Sequence, residues 1–144
     1  MPHRQARAGV AAAALVAAVT GMLAAGPRTT WDGVFTGDQA LAGEAAYDEY
    51  CSTCHLPNLE GGEDAPPLVG APFSVVWEGR SLAELVGRTQ ARMPQDAPGS
   101  LSRDAYVDIV AFLLQKNGFP AGAAPLALQA ESLADIQYFA RPRP

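Results

Sequence analysis

Cys51-Ser52-Thr53-Cys54-His55 is the stretch on which the reading of this chain turns. Cys51 and Cys54 stand one helical turn apart, so on a helix their sulfurs face the same way. His55 follows directly, with its imidazole on the same side. This is the spacing of covalent c-type haem attachment, in which the two thiols bond vinyl groups on neighbouring pyrroles and the imidazole points at the iron. Other chemistries compete for the same residues. A disulfide between such close cysteines is uncommon on a helix outside redox enzymes. A thioredoxin-like pair needs βαβ surroundings, and no strand pattern stands out. A zinc site needs further ligands, yet the whole chain has 2 Cys and 2 His.

Downstream of the motif, Pro57, Gly61, Gly62, Pro66, Pro67, Gly70 and Pro72 forbid a long regular element over 56–72. A long ordered loop in a small domain usually lines a site. Upstream, Thr36-Gly37-Asp38-Gln39 fits a capping box that opens a helix carrying Leu41, Ala45 and Tyr47 towards Cys51. Phe73–Trp77 reads as one short helical turn. Ser81-Leu82-Ala83-Glu84 is a second capping box, starting a helix that Pro94 ends near Arg92.

The clearest element runs from Ser102 to Lys116. Ser102 is its N-cap, Asp104 lies at the positive end and Lys116 at the negative end. Leu101 can staple onto Tyr106, and Tyr106, Ile109, Val110, Leu113 and Leu114 form an apolar stripe. Asn117-Gly118 stops the helix, with Pro120 beyond.

At the N-terminus, His3, Arg4 and Arg7 precede an uncharged run from Ala8 to Ala25, ending in Ala24, Ala25 and Gly26. A basic start, an apolar stretch and small residues at its end make a secretory signal. The alternative is a retained anchor, since the run is near the lower limit for a membrane span. Loss of 1–26 leaves 8 Lys and Arg against 15 Asp and Glu, a net charge of −7 in place of −5. That sign argues against nucleic-acid binding, whose footprint is basic. With 49% hydrophobic residues the chain is too apolar to be disordered, and 144 residues suffice for one compact domain.

Beyond residue 26, His55 is the one histidine and Met93 the one methionine. Met93 is therefore the candidate for the second axial position on the iron, with Lys116 or a water as alternatives. It sits in Arg92-Met93-Pro94, where the proline restrains its backbone. Read without a cofactor, a lone Met is core filler. A His/Met pair raises the reduction potential relative to His/His, because the soft thioether favours Fe(II), and it closes both axial positions.

These residues resemble the class I (His/Met) monohaem c-type cytochromes, in particular the small periplasmic cytochromes associated with quinoprotein dehydrogenases. The resemblance runs from about Val34 to Gly122. Besides the haem motif it rests on Gly61-Gly62, Ala65-Pro66, Leu68, Gly70, Trp77, the block Met93-Pro94 to Pro98-Gly99-Ser100-Leu101-Ser102, Tyr106, Asp108 to Ala111, and Asn117 to Pro120.

It implies an all-α fold in which the N- and C-terminal helices cross and loops and a middle helix enclose the haem. The divisions would be a signal peptide over 1–26, an extended lead-in over 27–35, the cytochrome c domain over 36–120 and a C-terminal tail over 121–144. The resemblance further implies that Gly43 and Tyr47 meet the Tyr106–Leu114 face. One haem c would be held by Cys51 and Cys54, with His55 and Met93 as iron ligands. A carbonyl of the tandem Pro66 and Pro67 would accept the His55 Nδ1–H. Trp77 with Arg80 or Arg92 would meet the haem propionates, an ordinary core role being the other reading of Trp77. Leu56, Leu68, Val86 and Leu113 would wall the pocket.

The function so implied is a periplasmic electron carrier rather than an enzyme. It would take single electrons from a periplasmic dehydrogenase and pass them to a terminal oxidase or another cytochrome. It would touch the membrane only if the N-terminal segment is retained. The alternatives are an electron-transfer subunit fixed in a quinoprotein dehydrogenase complex, or a haem-based gas or redox sensor in which Met93 leaves the iron. A peroxidase would need a distal base, and no histidine besides His55 lies beyond residue 26.

Overall fold

Two helices placed far apart in sequence cross at the centre of the molecule. The computed structural model describes residues 26–143. The secretory segment predicted over 1–26 lies outside them, apart from Gly26. Helix α1 spans Gly37–Tyr50, and the Thr36 side chain accepts from the Gln39 N–H as its N-cap. The reciprocal half of the expected capping box is not made. The Gln39 side chain instead takes the Leu126 N–H (2.7 Å) and donates to the Leu126 carbonyl (3.1 Å).

Helix α1 buries Ala40, Gly43 and Tyr47. Leu41 and Ala45, carried on the same helix, are exposed. The spacing of 40, 43 and 47 is that of one helical face, and the partner helix selects that face over its neighbour.

The partner is α5, Arg103–Lys116, capped by the Ser102 side chain on the Ala105 N–H. It buries Tyr106, Val107 and every residue from Ile109 to Leu114, so it is a central rod more than a one-sided surface helix. At the crossing, Gly43 lies so near the Asp108 carbonyl that a Cβ would overlap it. The Tyr47 and Phe112 rings pack beside this point, with centroids 5.2 Å apart. This is the crossing that the resemblance implied.

The remaining helices are α2 (Ser52–His55), α3 (Gly70–Trp77), α4 (Leu82–Arg92) and α6 (Ala130–Ala134). Helix α3 is longer than the single turn expected, because Pro72 falls in its first turn, where no backbone N–H is needed. Both halves of the Ser81–Glu84 capping box are made at the start of α4.

The flanking pieces join each other. Strand β1 (Arg28–Thr29) pairs in parallel with β2 (Ile136–Gln137), a pairing too short to show any period in the sequence. The Trp31 indole donates to the Phe139 carbonyl (2.8 Å). Tyr138 packs edge-on to Phe119 and Phe73. Leu126, Leu133, Ile136, Tyr138 and Phe139 are all buried, so the segment after 121 contributes to the core. Apart from this strand pair the described residues form an all-α fold. No helix among them is long and apolar enough to cross a membrane.

Candidate functional site

A cavity of about 1170 Å³ opens beside the helix crossing, above the usual range for small-molecule pockets of roughly 300–1,000 Å³. Its walls come from α2, the 64–68 loop, α3, α4, the segment after Met93, and Ile109 and Leu113 of α5. Cys51, Cys54, His55 and Met93 all line it.

The chain is built to present the motif there. The Cys51 N–H closes the last turn of α1 on the Tyr47 carbonyl (2.8 Å), and the N–H groups of Cys54 and His55 both reach the Cys51 carbonyl. Leu56 then turns the chain away with a φ of 63°. The buried Tyr47 hydroxyl donates to the Leu56 carbonyl (2.7 Å) and fixes that exit.

His55 is buried, and its Nδ1 lies 2.9 Å from the Pro66 carbonyl. Of the two tandem prolines, Pro66 is the one that contacts the ring. A carbonyl only accepts, so Nδ1 carries the proton and Nε2 keeps its lone pair free for a metal. The loop that supplies this carbonyl is tied to the motif, because the Gly61 N–H donates to the His55 carbonyl (3.1 Å) and the Gly62 N–H to the Ala65 carbonyl (2.9 Å). Gly61 has a φ of 73°, and a Cβ there would overlap the Ala65–Pro66 backbone.

Met93 is half-buried at the C-cap of α4. Its N–H donates to the Thr89 carbonyl (2.8 Å), and its carbonyl accepts from the buried Tyr106 hydroxyl (2.7 Å). The Met93–Pro94 peptide is cis. Pro94, Gln95, Asp96, Ala97 and Ser100 continue the cavity wall.

Burial, with Cys54 as a second cause, pushes the Cys51 thiol up to about 11, so as a free thiol it is neutral at neutral pH. Thioether formation would remove that titration altogether.

Pro66, Leu68, Trp77 and Arg92 line the same cavity as the cysteines, His55 and Met93. Trp77 is buried, and the guanidinium groups of Arg80 and Arg88 each lie 5.9 Å from its ring centroid. Arg80 stands outside the lining, whereas Arg88 is part of it. Sequence reasoning missed Arg88, although its spacing of four from Arg92 on a helix places both on one face.

Of the four leucine and valine walls implied, Leu68 and Leu113 line the cavity. Leu56 and Val86 do not. Leu56 is exposed where the chain leaves α2, and Val86 is fully buried in the core. Asn117, read as a helix stop, also braces the loop. Its Nδ2 donates to the carbonyls of Leu68 (2.9 Å) and Leu113 (2.8 Å), and its Oδ1 accepts from the Gly70 N–H (3.0 Å).

The residues present suit a porphyrin. The cavity is large and mostly apolar, and it is lined by two thiols, a tautomer-fixed imidazole, a thioether and, as partners for carboxylates, the arginines Arg88 and Arg92. A family model described as cytochrome c oxidase, cbb3-type, subunit III matches residues 38–113, more than half of the chain. Among solved structures, the chain is similar to the sulfane dehydrogenase SoxCD from Paracoccus pantotrophus. Identity is 22%, the match covers 74% of this chain and 61% of that one, and the TM-score is 0.50. At that identity the likeness shows the fold, and this chain spans less than two thirds of the SoxCD chain. No curated protein matches.

Proposed function

The chain belongs to the family described as cytochrome c oxidase, cbb3-type, subunit III, and on that footing we propose that it is a one-electron carrier with a single His/Met-ligated haem c. Membership in this family of c-type cytochromes makes haem-based electron transfer the activity. The finer reading rests on one observation, the convergence of Cys51, Cys54, His55 and Met93 on a single large cavity.

In this reading Cys51 and Cys54 hold the haem covalently, through thioether bonds that persist when the fold opens. Bound haem supplies a one-electron Fe(III)/Fe(II) couple. His55, oriented by the Pro66 carbonyl, and the Met93 thioether would hold the iron, the thioether favouring the reduced state. Arg88 and Arg92, which line the cavity, would offer positive charge to the haem propionates. With His55 and Met93 both holding the iron, electron exchange would be favoured over chemistry on a bound substrate.

The proposed site of action is the periplasm, supported by the signal-like residues 1–26. The donor would be a periplasmic dehydrogenase, a reading in keeping with the likeness to SoxCD, a sulfane dehydrogenase. The acceptor would be a terminal oxidase or another cytochrome. Such redox encounters use small contact areas and brief lifetimes.

Spectra of the oxidised and reduced protein, with Met93→Ala beside it, test the ligation. The wild type should show a sulfur-to-iron charge-transfer band that the variant lacks. Identical spectra would remove Met93 from the iron. Intact mass after acid extraction tests attachment, since a bare polypeptide mass would remove the haem reading itself.

A further inference from the structure

We infer that Tyr106 is a positioning residue for Met93, its hydroxyl latching the thioether-bearing segment onto helix α5. The inference rests on the His/Met reading above. Tyr106 is fully buried in the first turns of α5. Its hydroxyl donates to the Met93 carbonyl at 2.7 Å and lies 3.4 Å from the Leu101 N–H, which it accepts. Met93 begins the excursion between α4 and α5, and Leu101 nearly ends it. One phenolic oxygen therefore ties both ends of that excursion to the same helix.

The placement is selective. The Met93 N–H is engaged by the Thr89 carbonyl and its C=O by Tyr106. Both backbone polar groups of the residue that carries the sulfur are thus anchored to α4 and α5. The Gly99 N–H also reaches the Met93 carbonyl, at 3.3 Å, but Gly99 belongs to the excursion itself and cannot hold it to the rest of the molecule. Helix α5 makes a firm post, because it is locked against α1 at Gly43. Withdrawing the Met93 segment from the cavity would take its carbonyl off Tyr106 and strand a buried hydroxyl, so the latch holds the backbone from which the thioether reaches in.

Imidazole titration of the oxidised, haem-loaded protein at neutral pH reads the latch directly. Added imidazole reaches the iron only when Met93 has left it, so its apparent affinity tracks the released fraction. Loss of the hydrogen bond in Tyr106→Phe is expected to tighten imidazole binding about fivefold. Tyr138→Phe is the control. It also deletes a buried hydroxyl, bonded to Ser74 Oγ at 2.9 Å, but Tyr138 lies outside the cavity lining. Its imidazole affinity should equal that of the wild type.

Unchanged affinity in Tyr106→Phe, with the charge-transfer band intact, overturns the latch and leaves the His/Met reading standing. Equal tightening in both variants also overturns it, since that would reflect general loosening. A wild type that lacks the band and binds imidazole as tightly as Met93→Ala removes the His/Met reading, and the latch falls with it.

Discussion

Gly43 on α1 and Asp108 on α5 meet backbone to backbone, with no room for a methyl group between them. Helix propensity alone favours Ala over Gly by about 1 kcal/mol. Overlap with a backbone carbonyl costs more, about 1–3 kcal/mol or above, because neither rod can yield without opening the core. Gly43→Ala is therefore expected to destabilise the protein in urea unfolding. Gly87→Ala, in α4 where an added Cβ meets nothing within 4 Å, should stabilise it by about 0.5–1 kcal/mol. Stabilisation by both would contradict the crossing geometry.

Asp108 itself supplies a pH dependence. Burial holds its carboxyl above the ordinary range, with Gln39 opposing the shift and Asp104 adding to it. A raised folded value means that the protonated form suits the fold better. The stability this gives is fully present below the unfolded value of about 4 and is lost as pH rises through the folded one. Asp108→Asn should therefore gain stability relative to the wild type as pH climbs from about 4, and the two curves should converge below it. A constant offset across that window would exclude the linkage.

At Gly61 the question is histidine orientation. A side chain there must adopt a left-handed backbone, costing about 1–2 kcal/mol, and would press on the Ala65–Pro66 backbone. In Gly61→Ala the Pro66 carbonyl should move away from His55 Nδ1. On the proposed ligation, weakening that hydrogen bond would make the imidazole a poorer donor to Fe(III), so the midpoint potential is expected to rise by protein-film voltammetry. An unaltered potential would argue that the loop absorbs the methyl elsewhere.

Asn117 joins the end of α5 to the loop that carries Leu68. Its three hydrogen bonds, at 2.8–3.0 Å, have net worth of about 1 kcal/mol each. Asn117→Ala should cost about 2–3 kcal/mol in unfolding free energy. Asn117→Asp should cost at least as much, because a carboxylate oxygen would then face the Leu68 and Leu113 carbonyls. A smaller loss for Asp than for Ala would show that the acceptor contact with Gly70 dominates.

The segment after Gly122 is expected to be indispensable. Leu126, Leu133, Ile136, Tyr138 and Phe139 are buried, and at about 2 kcal/mol each they contribute about 10 kcal/mol. That is comparable to the whole stability of a small domain. A chain stopping at residue 122 should fail to give a cooperative melt by circular dichroism. A sharp transition near the wild-type temperature would show that the 36–120 region stands alone.

What could be read directly from the sequence was local. The Cys51–His55 spacing, the Ser81–Glu84 box and the Ser102 cap each involve residues within one helical turn, so their partners are adjacent in the chain. What could not be read depends on partners distant in sequence. Helix α1 is rich in small apolar residues on several sides, and only its contact with α5 decides that Ala40 turns inward while Leu41 faces water. The Gln39 side chain had a local partner on offer, yet it bonds the backbone of Leu126. Tyr106 read as one member of an apolar stripe, because a pattern of hydrophobic positions carries no information about where a phenolic hydroxyl ends up. Val86 was placed at the cavity by resemblance, and core packing claimed it.

The parallel run of Arg28–Thr29 beside Ile136–Gln137 has a mechanical side. A force drawing the N-terminal flank backward while a grip on the C-terminal flank pulls forward would slide these strands lengthwise. The Thr30 N–H to Gln137 bond and the Trp31 indole bond to Phe139 would then bear the load together instead of opening like a zipper. Traction applied at the two flanks would meet this seam before it reached the helix crossing.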